Sequence, residues 1–328
     1  MKAPRASFVT GANGYVGREI VHELLKSEEQ IVCLVRKGRV NDEMNYWKDR
    51  SDCISVQPYD MLDGGKSLEN ALKTVHEKEC VVYHVASVFG PTEDHKQTAL
   101  DNVKGTEDVL KCLAKFPNSK LVLTSSMAAV RGTGQEPKNK SCYSYVDWNT
   151  VSELGLNWGS SYQWSKAESE HRAWELAKEH NVPMVALCPS FIFGPSKDGS
   201  FESNSFSIQL VGQWIRGESQ VQSRLCVDIR DVAKAHVAAG TRDSAVGQRY
   251  LVSTESRLPS NVLAEALKEV STAPENITYD AVFDGGAIKI GDREVIATER
   301  LAEGLGVELT PADVTFRDMA RAILAGDK

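Results

Sequence analysis

Nine residues near the start of the chain, Val9-Thr10-Gly11-Ala12-Asn13-Gly14-Tyr15-Val16-Gly17, restrict its folding more than any other feature. They follow the apolar run Ser7 to Thr10 and open a segment in which Val16, Ile20, Leu24 and Leu25 recur at helical spacing. A strand that passes into a helix through glycines leaves backbone N–H groups free at the positive end of the helix dipole, where a phosphate binds. Gly11 permits the tight turn, Gly14 lets an anion approach the backbone, and Gly17 lets the helix pack closely on the strand. A plain glycine-rich turn has the same spacing, but this one lies on the first of a series of strands.

That series is Ser7 to Thr10, Ile31 to Val35, Ile54 to Gln57, Val81 to Val85, Leu121 to Thr124 and Val185 to Cys188. Amphipathic stretches separate the runs, Thr98 to Phe116 and Ser160 to His180 among them, which predicts an α/β chain with a Rossmann-type doubly wound parallel sheet. After Pro189 the pattern loosens through Gly194-Pro195 and a Ser/Asn-rich stretch over 200–207, as expected of a smaller C-terminal lobe. Val227 to Val232 reads as a strand entering a helix, and Arg249 to Val252 as a strand whose helix begins at Ser260. The expected division is a nucleotide-binding domain over 1–189 that also receives 226–253, with 190–225 and 254–328 forming a substrate lobe. No internal repeat or low-complexity segment interrupts it.

Composition removes several classes of function. With 41% apolar and 25% charged residues among 328, the chain has the make-up of an ordinary globular protein, and no window approaches eighteen unbroken apolar residues. The net charge of −7 disfavours nucleic acid or an anionic membrane as a partner. Seven scattered cysteines without a Cys-x-x-Cys pair, and no His-Glu-x-x-His pattern, point to a reducing, cytoplasmic setting and to no metal site. The expected partner is a small molecule, and the expected assembly a monomer or homodimer.

At the end of the second strand a carboxylate would accept from an adenosine 2′-hydroxyl, whereas an arginine accommodates a 2′-phosphate. Arg36 and Lys37 stand there, with Arg39 close by and no acid, so NADP(H) is favoured over NAD(H) unless these are simply a solvated basic loop. Tyr162-Gln163-Trp164-Ser165-Lys166 places a phenol and an ammonium one helical turn apart. A nearby cation lowers a phenol pKa from about 10 toward the range useful for proton exchange, although exposed pairs at this spacing are common. Ser125 and Ser126 follow the strand Leu121 to Thr124 at the sheet edge where such folds bind ligands, and either hydroxyl could orient a carbonyl or merely cap the loop.

The glycine turn, the paired serines and Tyr-x-x-x-Lys, in this order, closely resemble the extended short-chain dehydrogenase/reductase family. More narrowly they resemble its dihydroflavonol 4-reductase-like branch, which includes fungal aldehyde and ketone reductases and cinnamoyl-CoA reductases. Further matching pieces, between about Ser7 and Val252, are Tyr83 to Ser87, Asn102 to Thr106, Pro189 to Pro195 and Val227 to His236. The resemblance implies a general acid at Tyr162, tuning and a nicotinamide-ribose contact at Lys166, and carbonyl orientation by Ser126 with Ser125 in reserve. It implies cofactor contacts from Gly11, Asn13, Gly14, Tyr15 and Val16, and from Arg36 and Lys37. It further places Asp60-Met61 beside the adenine, Val85-Ala86-Ser87 near the nicotinamide ribose, and Pro189 to Ile192 near the carboxamide. Asn102 matches a family asparagine that supports a proton relay, with helix packing as the other reading.

The implied activity is NADPH-dependent reduction of an aldehyde, ketone or dihydroflavonol-like carbonyl to an alcohol. Alternatives on the same fold are a 3β-hydroxysteroid dehydrogenase-like oxidoreductase, a nucleotide-sugar epimerase or dehydratase, and a non-catalytic dinucleotide sensor. Arg36 argues against the epimerase, and the intact Tyr162-Lys166 pair against the sensor. Arg131 stands where plant flavonoid reductases tend to carry asparagine, which counts against a flavonoid substrate. Of the tryptophans only Trp148 and Trp158, on the loop upstream of the Tyr162 helix, are candidates for a substrate slot, and His84 reads as a buried strand histidine.

Overall fold

The computed structural model describes residues 5–27, 30–75, 78–138, 142–196, 205–281, 295–296 and 301–326. The Ser/Asn-rich stretch lies outside them through residue 204. The chain runs β1 (Arg5–Thr10), α1 (Tyr15–Leu24), β2 (Gln30–Val35), α2 (Val40–Trp47), β3 (Ile54–Pro58), α3 (Lys66–Leu72), β4 (Glu79–His84) and α4 (His95–Leu113). It continues through β5 (Ser119–Thr124), α5 (Met127–Val130), β6 (Cys142–Tyr143), α6 (Trp158–His180), β7 (Met184–Pro189) and β8 (Phe191–Phe193). Then come α7 (Phe206–Ile215), β9 (Cys226–Asp228), α8 (Ile229–Thr241), β10 (Arg249–Val252), α9 (Ser260–Lys268), the short β11 (Val295–Ile296) and a last helix, Ala312–Gly326.

Seven strands form one sheet in the order β10-β7-β5-β4-β1-β2-β3, every pair parallel. The chain winds outward through β2 and β3, then reverses across β1 to β4, so the β1/β4 boundary is the switch point where such sheets hold ligands. All six expected runs are strands of this sheet, and the expected strand at Arg249 joins as its seventh. The strand at Cys226 does not. It pairs with β8 in a separate two-stranded parallel sheet.

Strand period distributes the core. Adjacent Phe8 and Val9 are both fully buried but enter opposite layers. Val9 packs with Ile20, Val21 and Leu24 of α1 and with Val232, Ala235 and Ala239 of α8. Phe8 packs with Leu68 and Leu72 of α3, Val109, Leu110 and Leu113 of α4, and Leu176 of α6. A separate core joins Phe193, Trp214, Leu263, Leu267, Phe316 and Met319 from β8, α7, α9 and the last helix. Each fully buried Leu, Ile, Val or Phe contributes about 1.5–3 kcal/mol, so both layers of the sheet are strongly held. Among the described residues no helix is long and apolar enough to cross a membrane, and all seven cysteines are free thiols.

Candidate active site

The glycine turn closes as its residue types require. Gly11 adopts φ +66°, and its N–H donates to the Leu34 carbonyl at 2.8 Å, joining the end of β1 to β2. A Cβ on Gly17 would stand 2.2 Å from the Gly11 carbonyl oxygen, so only glycine lets α1 approach the turn this closely. Gly14 occupies the N-cap of α1 and no side chain caps that helix, which leaves its first N–H groups for an anion. The Tyr15 hydroxyl turns away and donates to the Gly194 carbonyl at 2.7 Å, so Tyr15 can offer the turn its backbone N–H only. Asn13 and Val16 are half-buried at the turn, Val16 against the α1/α8 core.

The neighbouring strand end is organised by one hydroxyl. Thr10 Oγ1 accepts from the N–H groups of Val85 (3.0 Å) and Ala86 (3.1 Å), so its own proton goes to His84 Nδ1, also 3.0 Å away. His84 therefore carries its hydrogen on Nε2, and burial together with the Lys166 charge brings its pKa down to about 3. It is a neutral, structural residue, as its strand position suggests. Asn102 is equally committed: its Nδ2 donates to the Val88 carbonyl at 3.0 Å and its Oδ1 accepts from the Val88 N–H at 2.9 Å. Asn102 thus fastens the segment after β4 to α4, the packing role that is the other reading of this residue.

At the end of β2, Arg36 and Lys37 are exposed, and among the described residues no carboxylate pairs with either. Arg39 does pair, with Asp42 at 3.2 Å, an exposed contact worth little. Asp60 is exposed, its Oδ1 accepting from the Leu62 N–H at 2.9 Å. Met61 lies against α4 at Gly105, where an added Cβ would come within 2.2 Å of the Met61 Cγ.

Helix α6 begins at Asn157, whose side chain accepts from the Ser160 N–H at 2.9 Å. Tyr162, Lys166 and Glu170 follow one another at successive turns of one face. Burial pushes the Tyr162 pKa up to about 12, against a smaller lowering by the neighbouring Ser126 hydroxyl. The expected lowering by Lys166 does not offset that burial. The Lys166 Nζ lies 5.8 Å from the Tyr162 ring centroid and donates to Ser87 Oγ (3.2 Å) and the Thr124 carbonyl (3.3 Å) at the sheet edge. Burial brings the Lys166 pKa down to about 8.

The two serines part company. Ser126 caps α5, its Oγ accepting from the Ala128 N–H at 3.1 Å, and the same hydroxyl neighbours Tyr162. Ser125 points the other way and donates to Glu170 Oε2 at 2.6 Å, so it cannot serve as the reserve for carbonyl orientation. The tryptophans separate too. Trp148 is stacked between His171 (3.8 Å) and the Arg249 guanidinium (3.9 Å), a packing role. Trp158 lies 5.9 Å from Phe89, whose ring is 4.7 Å from Tyr162, 5.6 Å from Phe206 and 6.4 Å from Phe191. These rings form an aromatic wall beside the Tyr162 hydroxyl. Sequence reasoning missed Phe89, Phe191 and Phe206 as a group because three separate segments contribute them.

A Ser–Tyr–Lys constellation at the carboxyl edge of a parallel sheet, next to an uncapped glycine turn at the switch point, defines a dinucleotide-dependent site. A family model described as Male sterility protein matches residues 9–228. A cinnamoyl-CoA reductase of Medicago truncatula is 28% identical over 96% of this chain and 94% of its own length. Cinnamoyl-CoA reductase 2 of Arabidopsis thaliana is 30% identical over 75% of this chain and 72% of its own. The crystal structure of Gre2 in complex with NADPH from Candida albicans has a TM-score of 0.86 at 25% identity, covering 99% of this chain and all of that one. The chain belongs to this family, the extended short-chain dehydrogenase/reductases, in the dihydroflavonol 4-reductase-like branch. It is an oxidoreductase.

Proposed function

We propose that this protein reduces an aldehyde or ketone to an alcohol with NADPH, Tyr162 giving the proton. The observation that carries the reading is the half-buried Tyr162 set beside Ser126 and against the aromatic wall. Its cofactor is NADP(H). The residues present suit that group: a glycine turn without room for side chains, an uncapped helix start, and two unpaired cations where a 2′-phosphate would lie. Gly11, Asn13, Gly14, Tyr15 and Val16 hold its diphosphate through the backbone, and Arg36 and Lys37 its 2′-phosphate. Asp60 and Met61 flank the adenine, Val85, Ala86, Ser87, Tyr162 and Lys166 the nicotinamide ribose, and Pro189 and Ile192 the carboxamide.

When bound, the cofactor supplies a hydride to the carbonyl carbon. Negative charge then grows on the carbonyl oxygen, which accepts hydrogen bonds from Ser126 and Tyr162, and the Tyr162 proton passes to it. A phenol with a pKa of about 12 is protonated throughout the physiological range, which is the form a reductase needs at rest. Lys166 supplies its positive charge as the phenolate forms. The second core, with Phe193, Trp214 and Phe316 at its centre, serves as the substrate lobe, and the aromatic wall favours a substrate with an apolar body.

NADPH oxidation against a panel of aldehydes, ketones, dihydroflavonols and steroids, with NADH in parallel, tests the reading, and silence toward every carbonyl would defeat it. Tyr162→Phe should lower kcat by about 10²- to 10⁴-fold while NADPH binding persists. For kcat/KM, activity should fall as pH rises through about 8, where Lys166 loses its charge. A profile flat to pH 10 would remove Lys166 from the mechanism.

A further inference from the structure

Arg224 lies in the segment leading into β9, half-buried, and differs from Arg18, Arg230 and Arg249. Arg18 meets Glu43, Arg230 meets Asp228 and Asp318, and Arg249 meets Glu170. Arg224 meets no carboxylate among the described residues. Its Nη1 donates to the Ser223 carbonyl at 3.0 Å and its Nη2 to Gln222 Oε1 at 2.5 Å, while its buried Nε has no partner. The guanidinium rests on the rings of Phe191 (5.6 Å) and Trp214 (5.9 Å). Backbone bonds between Arg224 and Leu258 bring a second cation, Arg257, near it. Burial and that second charge lower the Arg224 pKa to about 10, so it stays cationic at neutral pH. A guanidinium removed from water without a counter-charge is unfavourable by itself, and an anion brought to it would relieve that cost.

Its surroundings indicate which anion. Phe191, under the guanidinium, is also a ring of the aromatic wall, 6.4 Å from Phe89, which in turn lies 4.7 Å from Tyr162. Leu225, the next residue, shares a buried cluster with Val130 and Tyr143, and Arg131, which follows Val130, lies 5.7 Å over the Tyr143 ring. A further positive group therefore reaches the rim of the same cluster from the nucleotide-binding side.

We propose that Arg224 receives the carboxylate of a carbonyl substrate whose apolar body lies on Phe89, Phe191 and Phe206 and whose carbonyl meets Ser126 and Tyr162. The substrate class is then an aromatic or long-chain aldehyde or keto acid, bound at its acid end through the planar fork of the guanidinium. The inference rests on the carbonyl-reductase reading above, which it makes more specific.

The test compares aryl keto acids of increasing chain length with their methyl esters in NADPH oxidation. At the best length kcat/KM for the acid should exceed that for its ester by about tenfold or more, the worth of one charge-assisted hydrogen bond, and most of the gain should lie in KM. Arg224→Gln should bring the acid-to-ester ratio close to one, and Arg224→Lys should restore part of it. Turnover of the esters with a native ratio near one at every length overturns the proposal and leaves the reductase reading standing. So does a raised ratio that Arg224→Gln leaves intact. If no carbonyl of either kind is reduced, the reductase reading itself falls and the proposal with it. Should Arg224→Gln fail to fold, the native ratio and its loss on raising the salt concentration decide the matter.

Discussion

Arg249 and Arg224 are both drawn away from water, one beneath the Tyr162 helix and the other beside the aromatic wall, and their surroundings treat them in opposite ways. Arg249 uses all it has. Its Nε and Nη2 donate to the Glu170 carboxylate at 2.6 and 3.1 Å, its Nη1 to the carbonyls of Tyr145 and Asp147, and its face covers Trp148. Glu170 also accepts from Ser125 and Trp174. This cluster ties β10, α6, the end of β5 and the segment around Asp147 into one body, and so sets where Ser126 stands relative to Tyr162. Arg224 ties nothing of opposite charge. At Arg249 the charge is consumed by the fold, whereas at Arg224 it is left over, and a leftover charge is what a ligand can use.

Removing each arginine should break this comparison or strengthen it. Arg249→Met strands a Glu170 carboxylate that is 0% exposed, and should cost about 3–5 kcal/mol of stability in urea unfolding. Arg224→Met strands no charge, leaving only the Ser223 carbonyl and Gln222 Oε1 without this donor, and should be close to neutral. Equal losses would mean that both charges are structural.

Acid should separate the halves next. His84 and His236, on β4 and α8, are buried with pKa values brought down by burial to about 3 and about 4, and neither 190–225 nor 254–328 contains a histidine. Below pH 6.5 the unfolded chain binds protons that these folded imidazoles refuse. Stability is therefore complete above pH 6.5 and declines as pH falls toward 4, by about 1.4 kcal/mol per pH unit for each histidine. A urea midpoint that is constant from pH 7 to 4.5 would contradict the burial of both. In His236→Gln the slope should halve.

The smallest expected effect concerns a third arginine. Arg36 is unpaired like Arg224 but fully in solvent at the end of β2, so Arg36→Asp should leave stability within about 0.5 kcal/mol. It should lower the preference for NADPH over NADH by about tenfold, the worth of one charge-assisted contact. An unchanged cofactor ratio would assign the 2′-phosphate to other residues.

Much of this was legible along the chain because it is encoded locally. Glycines at 11, 14 and 17 admit one kind of turn, period-two and period-3.6 apolar patterns separate strands from helices, and Tyr162 and Lys166 share a face wherever their helix packs. The six expected strands, the order of the helices and the helical face bearing the phenol and ammonium follow from such short-range rules. Tertiary contacts decided the rest. Ser125 and Ser126 are neighbours of the same type, and only the carboxylate arriving from α6 selects which of them turns from the site. Asn102, Trp148 and Trp158 acquire their roles from partners distant in sequence. The Tyr162 pKa moved opposite to the local expectation because burial, a property of the assembled fold, dominates it. Arg224 carries no motif at all: a charge is spare only once every possible partner has been placed, and that is known only from the folded chain.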